Sequence, residues 1–430
     1  MFDVIVIGGG AAGFYGAIHI ALARPHLKIA ILERGKQVLA KVRISGGGRC
    51  NVTHAIFDPA EFVRNYPRGE RELLGPLHKH GSADTVDFFE SLGVALKTES
   101  DGRMFPVTDS SQTVIDSLME QVERLGIQLF RQSGVKQIIP LDHNEGKGSE
   151  THWRVKSIKK TYTTRKVLLA TGSNIRIWDI LQNLGHTIVS PVPSLFTFNI
   201  SDNRIKGLQG VSTHAQVEVL QDGKPRKAIT VSLRSASERS PKLRAEGPLL
   251  ITHWGMSGPA VLKLSAWGAN ILNSYNYNFR IRVNWIPEYQ REGVQSLLRE
   301  VKVVESRKTV FRTQALDLPR RLWRNLVKAS GISEQMKWAE VPQKLMENLA
   351  GQLTGSEFRV QGKSTFKEEF VTAGGVHLKE INFKTFESKL HKNLFLAGEV
   401  INVDGITGGF NFQNAWTGAY IAAQAISKDL

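Results

Sequence analysis

Seven consecutive residues, SGGGRCN at positions 45–51, combine a hydroxyl, three glycines, a guanidinium, the only cysteine of the chain and an amide. The run suits anion binding: successive backbone N–H groups can converge on a negative charge, and glycine leaves no side chain in the way. Lys41 and Arg43 precede it and Arg49 lies inside it, so a pyrophosphate or the edge of an aromatic cofactor is the ligand it would take. Ser45, Gly46, Gly47, Gly48, Arg49, Cys50 and Asn51 are therefore candidate contacts, with Lys41 beside them. Nothing in the sequence supplies Cys50 with an activating partner, and it reads as a packing residue more than as a nucleophile.

A second constellation opens the chain. Residues 3–8 form an apolar strand pattern, Gly8-x-Gly10-x-x-Gly13 follows, and small residues then run as a helix from Ala11 to about Ala23. Gly8 suits the tight turn, Gly10 the close approach of a pyrophosphate and Gly13 the packing of helix on strand, while Ala12 keeps the approach narrow. The helix would face phosphates with its free N–H groups. Glu33, next to Arg34, ends the second strand twenty positions after Gly13, where a carboxylate accepts hydrogen bonds from an adenosine ribose. Strand, glycines, helix and acid together predict a dinucleotide, either NAD or FAD.

Two later segments favour FAD. VLLATG predicts a strand ending in Ala170, Thr171 and Gly172, small enough for a nucleotide to lie against the backbone. LFLAGEV (394–400) predicts another, ending at Gly398 and Glu399, followed by INVDGIT with Asp404 and by a helix opening after Gly408 and Gly409. Phe410, Asn411 and Asn414 begin that helix. Its N-terminus would favour negative charge on the far end of a long cofactor, where a flavin ring would lie.

These residues need a scaffold to position them. Residues 82–93 and 110–125 carry helical periodicity, the latter capped by Asp109-Ser110, and GVKQIIPL (134–141) and HWRVKSI (152–158) read as strands around DHNEGKGSE. Arg103 lies in the turn-rich ESDGRMFP between the helices and could orient a carbonyl or an anion. After about residue 190 the pattern changes to short antiparallel strands with a turn at Gln221-Asp222-Gly223. SGPAVLKLSAWG follows as a helix capped by Ser257, with His253 just before it as a possible proton donor. Residues 286–355 are mainly helical, and SEFRVQGKSTFKEEFVTAGGV returns to strand.

Composition bounds the rest. With 430 residues, 41% of them hydrophobic, the chain can bury two or three cores. A single cysteine excludes an internal disulfide and suits a reducing, cytoplasmic setting. The apolar start DVIVIG is too short for a membrane span or a signal peptide, no other stretch reaches membrane length, and no metal-ligand spacing appears. The net charge of +16 favours anionic company, with short basic clusters at 156–166, 224–227 and 320–328. Without a nucleic-acid motif these clusters read as solvated surface, and a small-molecule substrate is preferred to RNA.

Gly8-x-Gly10-x-x-Gly13, SGGGRCN, GRMFPVTDSSQTVIDSL, THWGMSGPAVLKLS, VTAGGV and LFLAGEVINVDGITGGFNFQNAWTGAYIA resemble the YhiN/BaiN-type flavoproteins, also called aminoacetone-oxidase-like FAD-binding enzymes, along the whole chain. The resemblance implies an α/β fold in which a Rossmann-like FAD-binding domain (1–190 and 371–430) is interrupted by a β-barrel domain (191–272 and 340–370) and a small helical insert (273–339). It implies FAD contacts at the residues named above and places Val135 near the adenine. Asn402 departs from it, standing where relatives carry Asp. The activity implied is hydride transfer between FAD and a small organic substrate, as a reductase using NAD(P)H or as an oxidase. No second nucleotide fingerprint is present, so NAD(P)H would bind transiently. A flavin-dependent RNA-modifying protein is the alternative class, and an FAD-bearing binding module is another.

Overall fold

The computed structural model describes residues 1–141, 152–220, 243–313, 316–365 and 371–428. Two compact units are present: Met1–Pro193 with Lys367–Leu430, and Ser194–Phe366. The expected turns at 142–150 and 221–223 lie outside the described residues.

In the first unit, β1 (Phe2–Ile7) is apolar without alternation, and Val4, Ile5 and Val6 are fully buried, as a strand covered on both faces requires. It runs parallel to β2 (Ile29–Leu32) on one side and β4 (Thr161–Leu169) on the other. β3 (Gln128–Phe130) and β5 (Leu394–Leu396) extend the parallel order to β5-β4-β1-β2-β3. Strands Val135–Leu141 and His152–Ser157 add antiparallel partners beside β4, where both were expected.

Helix α1 (Ala11–Ala23) lies between the sheet and α3 (Phe410–Lys428), and its small residues permit that. A Cβ at Gly16 would stand 2.6 Å from Leu168 and 3.6 Å from Ala419, so a side chain there would push the layers apart. A third helix, α2 (Ala40–Gly48), breaks at Ser45 (φ −60°, ψ 147°) and continues through glycines at positive φ. The expected helices are present at Ser82–Ser91 and Ser111–Arg124, and Ser110 caps the second, accepting from the Gln112 N–H at 3.3 Å.

The second unit holds a seven-stranded antiparallel sheet with alternating burial, seen most clearly in Arg244–Ile251. Strand Ser356–Gln361 passes through Gly362 (φ 105°) into Lys363–Ser364. The two halves of this bent segment pair with Asn278–Asn284 and Thr197–Asn199, the opposite ends of the strand order, which closes the sheet into a barrel. Closure leaves no long open edge and buries Phe198, Leu249, Ile281 and Phe358 inside, each contributing about 1.5–3 kcal/mol.

Three details differ from the sequence reading. NFRIRVN (278–284), assigned there to the helical insert, is a central barrel strand. Gln343–Gly355 is a helix, as the helical pattern over 286–355 predicts, although it falls inside the bounds given to the barrel. The helix Pro259–Ser274 is capped by Gly258 at φ 90° instead of Ser257, whose hydroxyl accepts from Thr197 at 2.9 Å at the end of a strand.

Candidate functional site

Three parallel strands end together. After β1, Gly8 takes φ 115°, and a Cβ there would stand 2.3 Å from the Ala170 carbonyl that follows β4. After β4 come Thr171 and Gly172, and the Glu399 carboxylate lies 3.6 Å from where a Gly172 Cβ would be. After β5, a Cβ at Gly398 would stand 3.4 Å from the Ala12 side chain. In open α/β sheets ligands bind in the crevice at such carboxyl ends.

The glycines of the fingerprint divide by role. A Cβ at Gly13 would lie 1.9 Å from the Gly8 carbonyl, so Gly13 serves packing. A Cβ at Gly10 would meet nothing within 4 Å, so its face is open. Gly10 is also the N-cap of α1, with no side-chain cap and no acid in the first turn. The first N–H groups of α1 therefore point at the crevice with nothing in the helix to neutralise them.

Glu33 follows β2 with its carboxylate fixed by the N–H groups of Gly9 at 2.8 Å and Gly35 at 2.5 Å. The Ser133 N–H donates to the Glu33 carbonyl, and a Cβ at Gly134 would stand 3.1 Å from the Arg34 side chain, so the chain just before Val135 packs against this segment.

The 45–51 run combines open backbone with side chains that turn inward. Gly46, Gly47 and Gly48 all have φ between 58° and 87°, and a Cβ at Gly47 would meet open space, so their N–H groups can form an anion nest. Its side chains are used inward. Asn51 is 7% exposed; its amide nitrogen donates to the carbonyls of Thr53 (2.9 Å) and Met104 (3.2 Å), and its oxygen accepts from the Gly409 N–H at 2.9 Å. Trp416 donates to the Val52 carbonyl and Thr53 to Gln413, so the loop is fastened to α3. The Arg49 guanidinium lies 3.9 Å over the Phe105 ring and pairs with Glu99 at 2.5 Å. The Cys50 thiol is fully buried and pushed up to about 12 by that burial, which leaves it protonated and unreactive. Ser45 donates to the Val42 carbonyl at 3.0 Å.

At the C-terminal end, a Cβ on Gly409 would stand 2.5 Å from the Thr53 backbone, so α3 starts in direct contact with the loop. Asp404 is fully buried in a two-pronged ion pair with Arg68. Asn411 bridges the N–H and carbonyl of Gly405, closing the 405–411 loop. Lys41 pairs with Glu399. Asn414 differs from all of these: it is 1% exposed, and neither its nitrogen nor its oxygen has a partner among the described residues. Leaving such groups unsatisfied costs about 1–3 kcal/mol each, and a polar ligand would remove that cost. The residues fit FAD, with open backbone at the phosphate end and an unmet amide at the head of the last helix.

Sequence reasoning missed His54. It stacks on Phe410 with ring centroids 4.9 Å apart, its Nδ1 is buried without a partner, and it lies 3.4 Å from a Gly408 Cβ position. Burial holds its pKa below the usual histidine range. Its place directly after the glycine loop was the available signal. Arg103 is tied to Asp101 at 2.7 Å and Glu99 at 2.9 Å. His253 and Trp254 belong to the second unit, where both are exposed. Among the described residues, no group of three His, Cys, Asp or Glu side chains is placed to hold a metal ion, and no helix is long and apolar enough to cross a membrane.

The family model described as HI0933-like protein Rossmann domain matches residues 2–425. The chain belongs to that family. Its members are the YhiN/BaiN-type proteins that the sequence resembles, FAD-dependent oxidoreductases built on a Rossmann-like domain. A Haemophilus influenzae protein named ribosomal RNA dihydrouridine synthase is 25% identical over 99% of this chain and 98% of its own length. A Clostridium scindens protein named 3-dehydro-bile acid delta(4,6)-reductase is likewise 25% identical, over 98% of each chain. The crystal structure of a 3-ketosteroid delta1-dehydrogenase from Sterolibacterium denitrificans superposes with a TM-score of 0.50 and 11% identity over the full length of both chains, a likeness of fold.

Proposed function

We propose that this protein is an FAD-dependent reductase of a carbon–carbon double bond conjugated to a carbonyl group. The observation that carries the cofactor part is the buried Asn414 amide, unpartnered at the head of α3 in the same unit as the open crevice of α1. The reaction class is supported by the names of two relatives. Dihydrouridine is uridine reduced at the bond next to its C4 carbonyl, and a delta(4,6)-reductase of a 3-dehydro bile acid acts on double bonds conjugated with a 3-keto group.

Bound FAD would supply the two-electron chemistry, accepting hydride from a donor such as NAD(P)H and delivering it to the acceptor. The chain's own residues bind and orient. The N–H groups after Gly10 and at Gly46–Gly48 hold the phosphates, Glu33 holds the ribose with Val135 at the adenine, and Glu399 with Thr171 and Gly172 lines the middle. Asn414 and the first N–H groups of α3 satisfy the polar edge of the ring and favour negative charge there. Arg103, in the same unit as the crevice, is proposed to orient the substrate carbonyl.

The test is an anaerobic titration of the purified protein with NADH and NADPH, followed by a small α,β-unsaturated ketone. Bleaching of a bound flavin spectrum and its return on adding the ketone are expected. A reduced flavin that only oxygen reoxidises would replace the reductase with an oxidase.

A second reading takes the uracil base of an RNA as the conjugated substrate. It is favoured by the net charge of +16 and by the full-length relative named for ribosomal RNA. Mass spectrometry of ribosomal RNA from cells lacking the gene decides it: loss of a dihydrouridine, restored by complementation, is the expected result.

A further inference from the structure

The charge is unevenly divided. Residues 194–366 carry 26 Lys and Arg against 14 Asp and Glu, a net of +12, which leaves +4 for the other 257 residues. Self-repulsion of this kind destabilises a compact unit, and a bound polyanion relieves it.

Much of the described excess is ordered on one helix, Arg320–Ala329. Its sequence RRLWRNLVKA contains no acid, and Leu322, Trp323, Leu326 and Val327 are buried. Arg320, Arg321, Arg324 and Lys328 are all exposed. Residues four apart on a helix are spaced by about 6 Å along its axis, comparable to successive phosphates of a nucleic-acid strand. Arg321, Arg324 and Lys328 form no ion pair among the described residues. Arg321 donates to the Gly207 carbonyl at 3.0 Å and Asn325 to the Arg204 carbonyl at 3.1 Å, which fixes the neighbouring loop and its exposed Lys206 against the helix.

A cavity of about 420 Å³ opens at the N-terminus of this helix, lined by Thr213, Trp285, Glu288, Asp317 and Arg320 among others. Trp285 is 1% exposed, and its indole N–H has no partner among the described residues. Glu288 and Asp317 would repel a phosphate but accept from ribose hydroxyls and base N–H groups. The cavity therefore suits a nucleoside and the helix suits the phosphates.

We propose that the second unit holds RNA: the Arg320–Ala329 helix with Lys206 takes the phosphates of a single-stranded segment, and the adjoining cavity takes one unpaired nucleoside. The proposal rests on the reading in which RNA is the substrate.

The experiment is a salt series of fluorescence anisotropy with a fluorescein-labelled single-stranded RNA, using the full-length protein. Each phosphate neutralised on a single strand adds about −0.7 to the log–log salt slope, so four cations give roughly −3. The triple change Arg321→Glu, Arg324→Glu, Lys328→Glu is expected to weaken binding at least about tenfold at low salt and flatten the slope toward −1. Arg321→Lys with Arg324→Lys is expected to retain binding. Thr213→Trp, which fills the cavity, should weaken binding with the slope unchanged. Flavin content and melting temperature check the fold of each variant, and the neutral Gln triple serves if the Glu triple does not fold.

Wild-type binding by the Glu or Gln triple would overturn the assignment. So would a wild-type protein that binds heparin or polyglutamate but no RNA, which would make the occupant another polyanion or an acidic protein. Failure to bind RNA together with turnover of the small ketone overturns this proposal and leaves the reductase standing. Charge-dependent RNA binding by a protein without flavin does the reverse.

Discussion

Both units pair many of their cations, as Arg204 with Asp202 and Arg280 with Glu357 do in the second, but one helix of the second unit departs from this. In the first, cations beside the crevice and its loops are matched by acids: Arg68 with the buried Asp404, and at the surface Lys41 with Glu399, Arg49 with Glu99 and Arg103 with Asp101. In the proposed reading, recognition there falls to backbone N–H groups at helix starts and glycine turns. In the second, the arginines of the acid-free helix Arg320–Ala329 stand exposed in a unit whose sequence carries a net positive charge. Backbone N–H groups are held in place before a ligand arrives and lose little freedom on binding it, whereas long cationic side chains act at the surface and are screened by salt. A cofactor that stays bound suits the first arrangement, and a polymer that must be released suits the second.

The contrast breaks most sharply at the glycines. Gly13→Val would drive a side chain into the Gly8 carbonyl, against backbone that cannot move aside, and is expected to leave no soluble, yellow protein. Gly10→Leu meets nothing within 4 Å. It should fold with an apo melting temperature close to that of wild type yet purify without flavin. Parallel absorbance and thermal-melt measurements separate the two cases, and a yellow Gly10→Leu protein would show that the open face is not where the phosphates lie.

The matched charges come next. Asp404 is fully buried and the Arg68 side chain 14% exposed, so Asp404→Ala removes the carboxylate from a largely buried pair and should cost about 3–5 kcal/mol in urea unfolding. A loss below about 1 kcal/mol would mean that water reaches the pair and that charge matching does not structure this unit.

How much of this was legible in the sequence depends on the range of the signal. The strand, glycine turn and helix at the start are a local pattern, and the crevice follows from it. The partners of SGGGRCN were not legible: Asn51 finds Gly409, and Arg68 finds Asp404 336 residues away. No periodicity records such pairs. The strand Asn278–Asn284 is a different case. Its alternation of Phe279, Ile281 and Val283 with polar residues was present in NFRIRVN, but the helical sequence that follows outweighed it. The Gly258 cap was missed by one residue, because serine is the commoner cap and only the fold shows that φ 90° is needed there.

A pH experiment tests the buried side of the first unit. Burial holds His19 at about 3 and His80 at about 4, with His80 hydrogen-bonded to the Tyr15 hydroxyl at 2.8 Å and stacked on Tyr420 at 4.0 Å. Both lie below the unfolded histidine value near 6.5. As pH falls below about 6.5 the unfolded chain therefore binds protons that the folded one refuses, and stability declines toward pH 4. Between pH 6.5 and 5 each histidine should cost roughly 1–2 kcal/mol, and His80→Gln should flatten the stability profile over that range. A profile unchanged by the substitution would mean that the pocket opens to water.

The smallest expected effect is at Arg103. Its guanidinium is 36% exposed and shared between Asp101 and Glu99, so Arg103→Ala should change stability by no more than about 0.5 kcal/mol. Its effect on the rate at which substrate reoxidises reduced flavin is the informative quantity. An unchanged single-turnover rate would make Arg103 one more internally matched cation, like Lys41 and Arg49. A tenfold loss with flavin content intact would mean that it exchanges Glu99 for a substrate carbonyl. In that case the first unit also recognises a ligand through a surface cation, and the division between backbone recognition there and side-chain recognition in the second unit would hold for the cofactor but not for the substrate.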